Sequence, residues 1–165
     1  MKKIIAAVPV IVGLIIGLYF AFKEDQTDKK VHAYNAYIEQ VKPLLSKLDV
    51  IISELTQIEQ LAQTEEEVHQ LVDGWITSTS GMQERLEEMT VEGAEMKTMH
   101  LHIISVFKMR TAGLNSFKIY CETENEHSLN EAMRLMEESN VHLEAFVKER
   151  DKYFLENDMV LEDDQ

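Results

Sequence analysis

Tyr37, Val41, Leu44, Leu48, Ile51, Leu55, Ile58 and Ala62 follow one another at alternating steps of four and three. Only a helical repeat of about 3.5 residues returns such side chains to one face, so this heptad commits the segment to a helix that buries one stripe. The chain has two prolines, Pro9 and Pro43, and no alternating apolar–polar stretch of useful length for a strand. Pro43 falls within the heptad, where it kinks the helix without shifting the seam.

The same reading extends along the chain. The first helix of the water-facing part is predicted from about Lys29 to Ala62. Thr64 and Glu67 form a Thr-x-x-Glu capping box that opens a second helix, with Glu65 and Glu66 at the positive end of its dipole. Its seam is Val68, Val72, Trp75, Thr79, Met82, Leu86 and Met89, and Gly74 and Gly81 weaken it enough to predict a kink near Thr77–Gly81. Gly93 ends that pattern. A third helix, Ala94 to Glu122, carries Met96, Met99, Ile103, Val106, Arg110, Gly113, Phe117 and Tyr120 on its seam. The polar run Glu122–His127 reads as a loop. Ser128 and Glu131 read as a second capping box, opening a helix with Leu129, Met133, Met136, Asn140, Leu143, Val147, Arg150 and Phe154 inward. Amphipathic helices joined by short connections pack as antiparallel neighbours. The expected fold is all-α: an N-terminal transmembrane helix (1–23), an up-down-up-down four-helix bundle (24–158) and an acidic tail (159–165).

The transmembrane expectation rests on Ile4–Phe22, nineteen residues without a charge. As a helix they span roughly 28 Å, close to a bilayer's hydrocarbon core. Secretory signal cores are shorter and end in small residues, whereas cleavage after Ala21 would put Tyr19 where a small side chain is needed. The run is therefore read as a retained signal-anchor, with the N-terminus inside and the bulk of the chain outside the cytoplasm. Lysines nearly balance across it, with Lys2 and Lys3 before and Lys23, Lys29 and Lys30 after, so charge alone does not orient it. Nothing between Gly17 and Pro43 breaks a helix, so the span can run on into the bundle.

All 30 acidic residues lie beyond Phe22 and 13 of the 16 basic ones lie beyond Lys23, which leaves the segment 24–165 at about −17. Such a surface repels nucleic acid and attracts a basic partner or cations. The single cysteine, Cys121, cannot make an internal disulfide and reads as a small hydrophobe on a helix.

Four constellations are candidates for function. Pro9, Gly13, Gly17 and Ala21 form a small-residue stripe through which two spans can approach as a homodimer. Met96, Met99 and His100 offer thioether and imidazole suited to Cu(I), although both methionines lie on the core seam. Glu66 with His69, and Glu124 with His127, have the Glu-x-x-His spacing of di-iron bundles, without the further inward glutamates such sites need. Arg110 and Asn140 interrupt the apolar seams. With His142 level with Arg110, they are expected to form a polar mid-bundle layer in which Asp73 or Glu144 holds the guanidinium and fixes helix register.

There is no nucleophile arrangement, no glycine-rich phosphate loop and no basic-aromatic patch, so neither an enzyme nor a cofactor is expected. The layout is similar to that of many small bacterial envelope proteins, and no motif ties it to a named family. The expected function is a membrane-anchored, acidic, extracytoplasmic bundle acting as a protein-interaction or scaffold module. The alternative is an extracytoplasmic sensor or binder of a cation or small cationic ligand.

Overall fold

The computed structural model describes the backbone of residues 2–157 and 159, with side chains from Lys29 onward. Helices α1 (Lys2–Thr56), α2 (Ile58–Leu61), α3 (Glu65–Glu88), α4 (Ala94–Thr123) and α5 (Glu126–Glu156) follow in order, and no strand occurs among the described residues. The expected span and its stripe of Pro9, Gly13, Gly17 and Ala21 lie outside the residues whose side chains are described. Among the residues whose side chains are described, no helix is long and apolar enough to cross a membrane.

Contacts between distant residues fix the course of the helices. Near the end of α1, Glu54 accepts from the Trp75 indole of α3 at 2.8 Å. Lys118 and Lys108 of α4 reach Asp73 and Glu87 of α3 at 2.7 and 3.1 Å, so α3 and α4 run in opposite directions. Arg110 of α4 meets Ser139 and Asn140 of α5. At the far end Lys30 of α1 donates to Asn157, just past α5. Tyr34 packs edge-on against Phe154 there, at 4.8 Å between ring centroids. The product is a helical bundle whose core joins Tyr37, Val41 and Leu48 of α1, Val72, Trp75 and Leu86 of α3, Met99, Ile103 and Phe107 of α4, and Phe146 and Tyr153 of α5.

The first helix does not run to Ala62 as the heptad predicts. It stops at Thr56, and the short α2 follows. The Thr56 hydroxyl donates to the Ser53 carbonyl at 2.7 Å, and the Gln57 amide reaches back three residues to Glu54 at 3.0 Å. Such local bonds compete with the i→i−4 ladder and close the helix. The Thr64–Glu67 capping box is present in both directions. The α3 helix is continuous through Thr77–Gly81.

The second capping box is not where the sequence suggests. Asn125 caps α5 instead, its side chain accepting from the His127 amide at 3.0 Å, and Ser128 lies inside the helix. Glu124 closes α4 in a left-handed conformation with φ 52°, so the loop shortens to Glu124–Asn125. Glu131 is drawn to Arg134 rather than back to Ser128.

The buried stripe of α5 is also displaced by one residue. Ala132, Leu135, Ser139, Phe146 and Tyr153 are buried together with the expected Phe154, and the expected Met136, Leu143 and Val147 pack half-buried against the core, whereas Met133 is 56% exposed and Asn140 is exposed. The cause is close approach. A Cβ built on Gly113 would lie 3.3 Å from the Ala132 carbonyl oxygen and 3.5 Å from the Leu135 Cβ. Small residues on both helices bring the backbones together, and that choice of face turns Met133 outward.

Candidate functional site

The mid-bundle layer forms around Arg110, with partners other than those expected. Its Nε donates to the Ser139 hydroxyl at 2.7 Å and its guanidinium donates to the Asn140 side-chain amide oxygen Oδ1 at 2.8 Å. The Ser139 hydroxyl donates its own hydrogen bond to the Met136 carbonyl at 2.6 Å. Ser139 thus accepts from one helix while donating within its own, which satisfies a fully buried hydroxyl. Burial pulls the guanidinium below its usual value, and the Asp49 carboxylate of α1 opposes that pull. Asp73 is engaged by Lys118, and Glu144 is exposed, so neither holds Arg110 as the sequence reading had it. The one-residue rotation of α5 explains the difference: it brings Ser139 inward and moves His142 away, to face His102.

His100 is a structural tie between three helices. Its Nε2 donates to the Leu86 carbonyl at 2.9 Å, and its Nδ1 lies 3.4 Å from the Tyr37 hydroxyl. A carbonyl only accepts, so Nε2 carries the proton and Nδ1 accepts from Tyr37. Leu86 lies in the last turn of α3 and its carbonyl also accepts from the Met89 amide at 3.1 Å, so the imidazole is a second donor on that helix end. Burial lowers the His100 pKa, partly opposed by the Leu86 bond, and burial raises that of the Tyr37 phenol. Both ring nitrogens are engaged, and Met96 and Met99 are buried in the core. The copper candidates are therefore packing residues in this arrangement.

The Glu-x-x-His pairs are not gathered into one site. Glu66 accepts from Gln70, and His69 lies 3.7 Å from Glu65 on its own helix. Glu124 and His127 are exposed at the α4–α5 turn. Among the described residues, no three of His, Cys, Asp and Glu come together to hold a metal. Cys121 is half-buried, and burial pushes its thiol above the usual value.

An open groove of about 390 Å³ lies between α1 and α3, lined by Glu39, Pro43, Leu44, Arg85, Glu88 and Met89. Charges of both signs flank an apolar floor there, a surface suited to contact rather than to enclosing a small molecule.

Residues the sequence reading missed are Ser139, Asp49 and the Tyr37–His100–Leu86 tie. Ser139 and Asp49 carry no pattern signal, since a serine or a surface acid gains meaning only from what packs against it. His100 did carry one, as a polar residue directly after Met99 on a buried seam. Comparisons with protein-family models, with curated proteins and with solved structures returned no match.

Proposed function

We propose that the chain is a membrane-anchored helical bundle that works by contact, as a protein-interaction or scaffold module of the bacterial cell envelope. One observation carries the reading. The uncharged run Ile4–Phe22 lies on the same 55-residue helix, α1, that later supplies Tyr37, Val41, Leu44 and Leu48 to the bundle core. A helix of that length is about 80 Å long, enough to cross a bilayer and still project beyond it. Lys30, Tyr34, Tyr153 and Phe154 tie the start of the bundle to the end of α5, which gives the projecting part a closed base.

Acidity supports a basic partner. The exposed faces carry Glu65, Glu66 and Glu67 at the start of α3 and a net surplus of carboxylates throughout. Charge of one sign speeds encounter with a surface of the other sign and weakens as salt rises. Function in such a molecule resides in a surface patch rather than in its fold class.

The test is fractionation of producing cells followed by photo-crosslinking from exposed positions on α3, such as Glu84 and Glu88. The chain is expected to pellet with membranes, to resist alkaline washing, and to be released when residues 1–23 are deleted. One basic protein is expected to crosslink, with yield falling as salt rises. A mature chain that begins near Lys23 and washes free would overturn the anchor. Crosslinks that are indifferent to salt would overturn the electrostatic contact.

A further inference from the structure

His102 on α4 and His142 on α5 face each other with ring centroids 5.8 Å apart and planes inclined by 39°. Both side chains are half-buried, and neither makes a hydrogen bond or ion pair with another described residue. Their ring nitrogens are not among the described buried polar atoms left without partners, so solvent reaches them. Two imidazoles are thus held side by side on separate helices, with their nitrogens uncommitted.

We propose that His102 and His142 form a two-imidazole chelate for a late first-row divalent metal ion, bridging α4 and α5 at the bundle surface. The spacing fits. With metal–nitrogen bonds of about 2.0–2.1 Å, two imidazoles on one tetrahedral ion have ring centroids roughly 5 Å apart. Small side-chain rotations close the remaining distance. Both residues sit on long helices tied together by Arg110, about two turns from His102, and by Ser139 and Asn140, within one turn of His142, so the pair is held in place before any ion arrives.

The surroundings favour a cation. No lysine or arginine lies within one turn of His102 on α4 or of His142 on α5, whereas Glu138 and Glu144 lie within one turn of His142. Glu138 is held by Arg134, and the neighbouring hydroxyls of Thr98 and Ser105 are bonded to their own helix. Neither imidazole is therefore drawn away. Imidazole nitrogen selects zinc, nickel and copper over magnesium and calcium. The remaining positions fall to water, which makes the site open and exchangeable rather than a closed structural centre. The inference stands apart from the anchoring and scaffold reading and does not depend on it.

The test uses the tag-free full chain in detergent micelles, titrated calorimetrically with Zn²⁺ and with Ni²⁺. Wild type is expected to bind one ion, and its thermal midpoint is expected to rise with Zn²⁺ and fall back on chelator addition. His102→Gln and His142→Gln are each expected to weaken binding roughly tenfold or more, because losing one arm loses the chelate's effective concentration. His69→Gln, at the other end of the bundle, is expected to bind as wild type does. Imidazole proton resonances provide a second readout without substitutions, and those of His102 and His142 are expected to move on Zn²⁺ addition. No binding by wild type at about 1 mM Zn²⁺ (−4.1 kcal/mol) would overturn the proposal. Wild-type affinity in either glutamine variant, or unmoved His102 and His142 resonances, would do so as well.

Discussion

Replacing Gly113 with alanine sets two effects against each other, and the contacts between α4 and α5 decide which wins. Alanine in a helix interior stabilises by about 0.5–1 kcal/mol over glycine, because the unfolded chain has less freedom to lose. At Gly113 the new methyl meets the Met136 methyl at 3.0 Å, the Ala132 carbonyl oxygen at 3.3 Å and the Leu135 Cβ at 3.5 Å. The Met136 tip can swing aside. The Ala132 oxygen belongs to the α5 backbone and moves only if the helix moves, stretching the neighbouring bonds from Arg110 to Ser139 and Asn140. Overpacking of this kind costs about 1–3 kcal/mol, so the net expectation is a loss of about 1 kcal/mol. Gly74 and Gly81 supply internal controls, since a Cβ at either meets nothing within 4 Å. Each is expected to gain about 0.5–1 kcal/mol as alanine. Urea unfolding of the full chain followed by helical circular dichroism measures all three variants, provided the slope with denaturant stays constant. If Gly113→Ala gained as much as Gly74→Ala, the close approach of α4 and α5 would be wrong, and with it the account of the rotated α5 stripe.

Arg110→Met is expected to cost about 1–2 kcal/mol, because two charge-assisted bonds to α5 are lost while the Ser139 hydroxyl keeps its bond to Met136. Unchanged or raised thermal stability would show that the layer does not need its charge. Asn125→Ala is expected to cost about 1 kcal/mol and Ser128→Ala close to nothing, because Asn125 caps α5; equal losses in denaturant midpoint would restore the capping position read from sequence. Because His100 has a lowered folded pKa against an ordinary value of 6.5, the unfolded chain binds the proton more readily. Its contribution is therefore complete above about pH 6.5 and is lost as pH falls from there through the folded value. His100→Gln is expected to flatten stability over that window relative to wild type, and an unchanged pH slope in unfolding midpoints would refute the buried tie. Thr64→Ala is expected to cost about 1 kcal/mol, seen as a lower denaturant midpoint, since it removes one half of a complete capping box.

Much of the fold was legible because its signals are local. The heptad from Tyr37 to Leu55, the Thr64–Glu67 box and the break at Gly93 each depend on residues within a turn or two of one another. Backbone hydrogen bonding and side-chain periodicity act at that range, so a linear reading can find them. Where two local solutions compete, the sequence is a weaker guide. Asn125 and Ser128 both offer a cap, and the left-handed Glu124 that closes α4 brings Asn125 into the capping position first.

The sequence by itself determined that this chain is helical, where most of its helices lie, and that its surface is strongly acidic. It also determined that one uncharged run long enough to cross a bilayer precedes the bundle. Only the tertiary structure decided which face of α5 turns inward, what holds Arg110, and that His102 meets His142. Those outcomes come from small residues that let backbones approach, and absent bulk leaves no mark in a hydrophobic pattern. A glycine at 113 and an alanine at 132 acquire meaning only when they are seen across from each other.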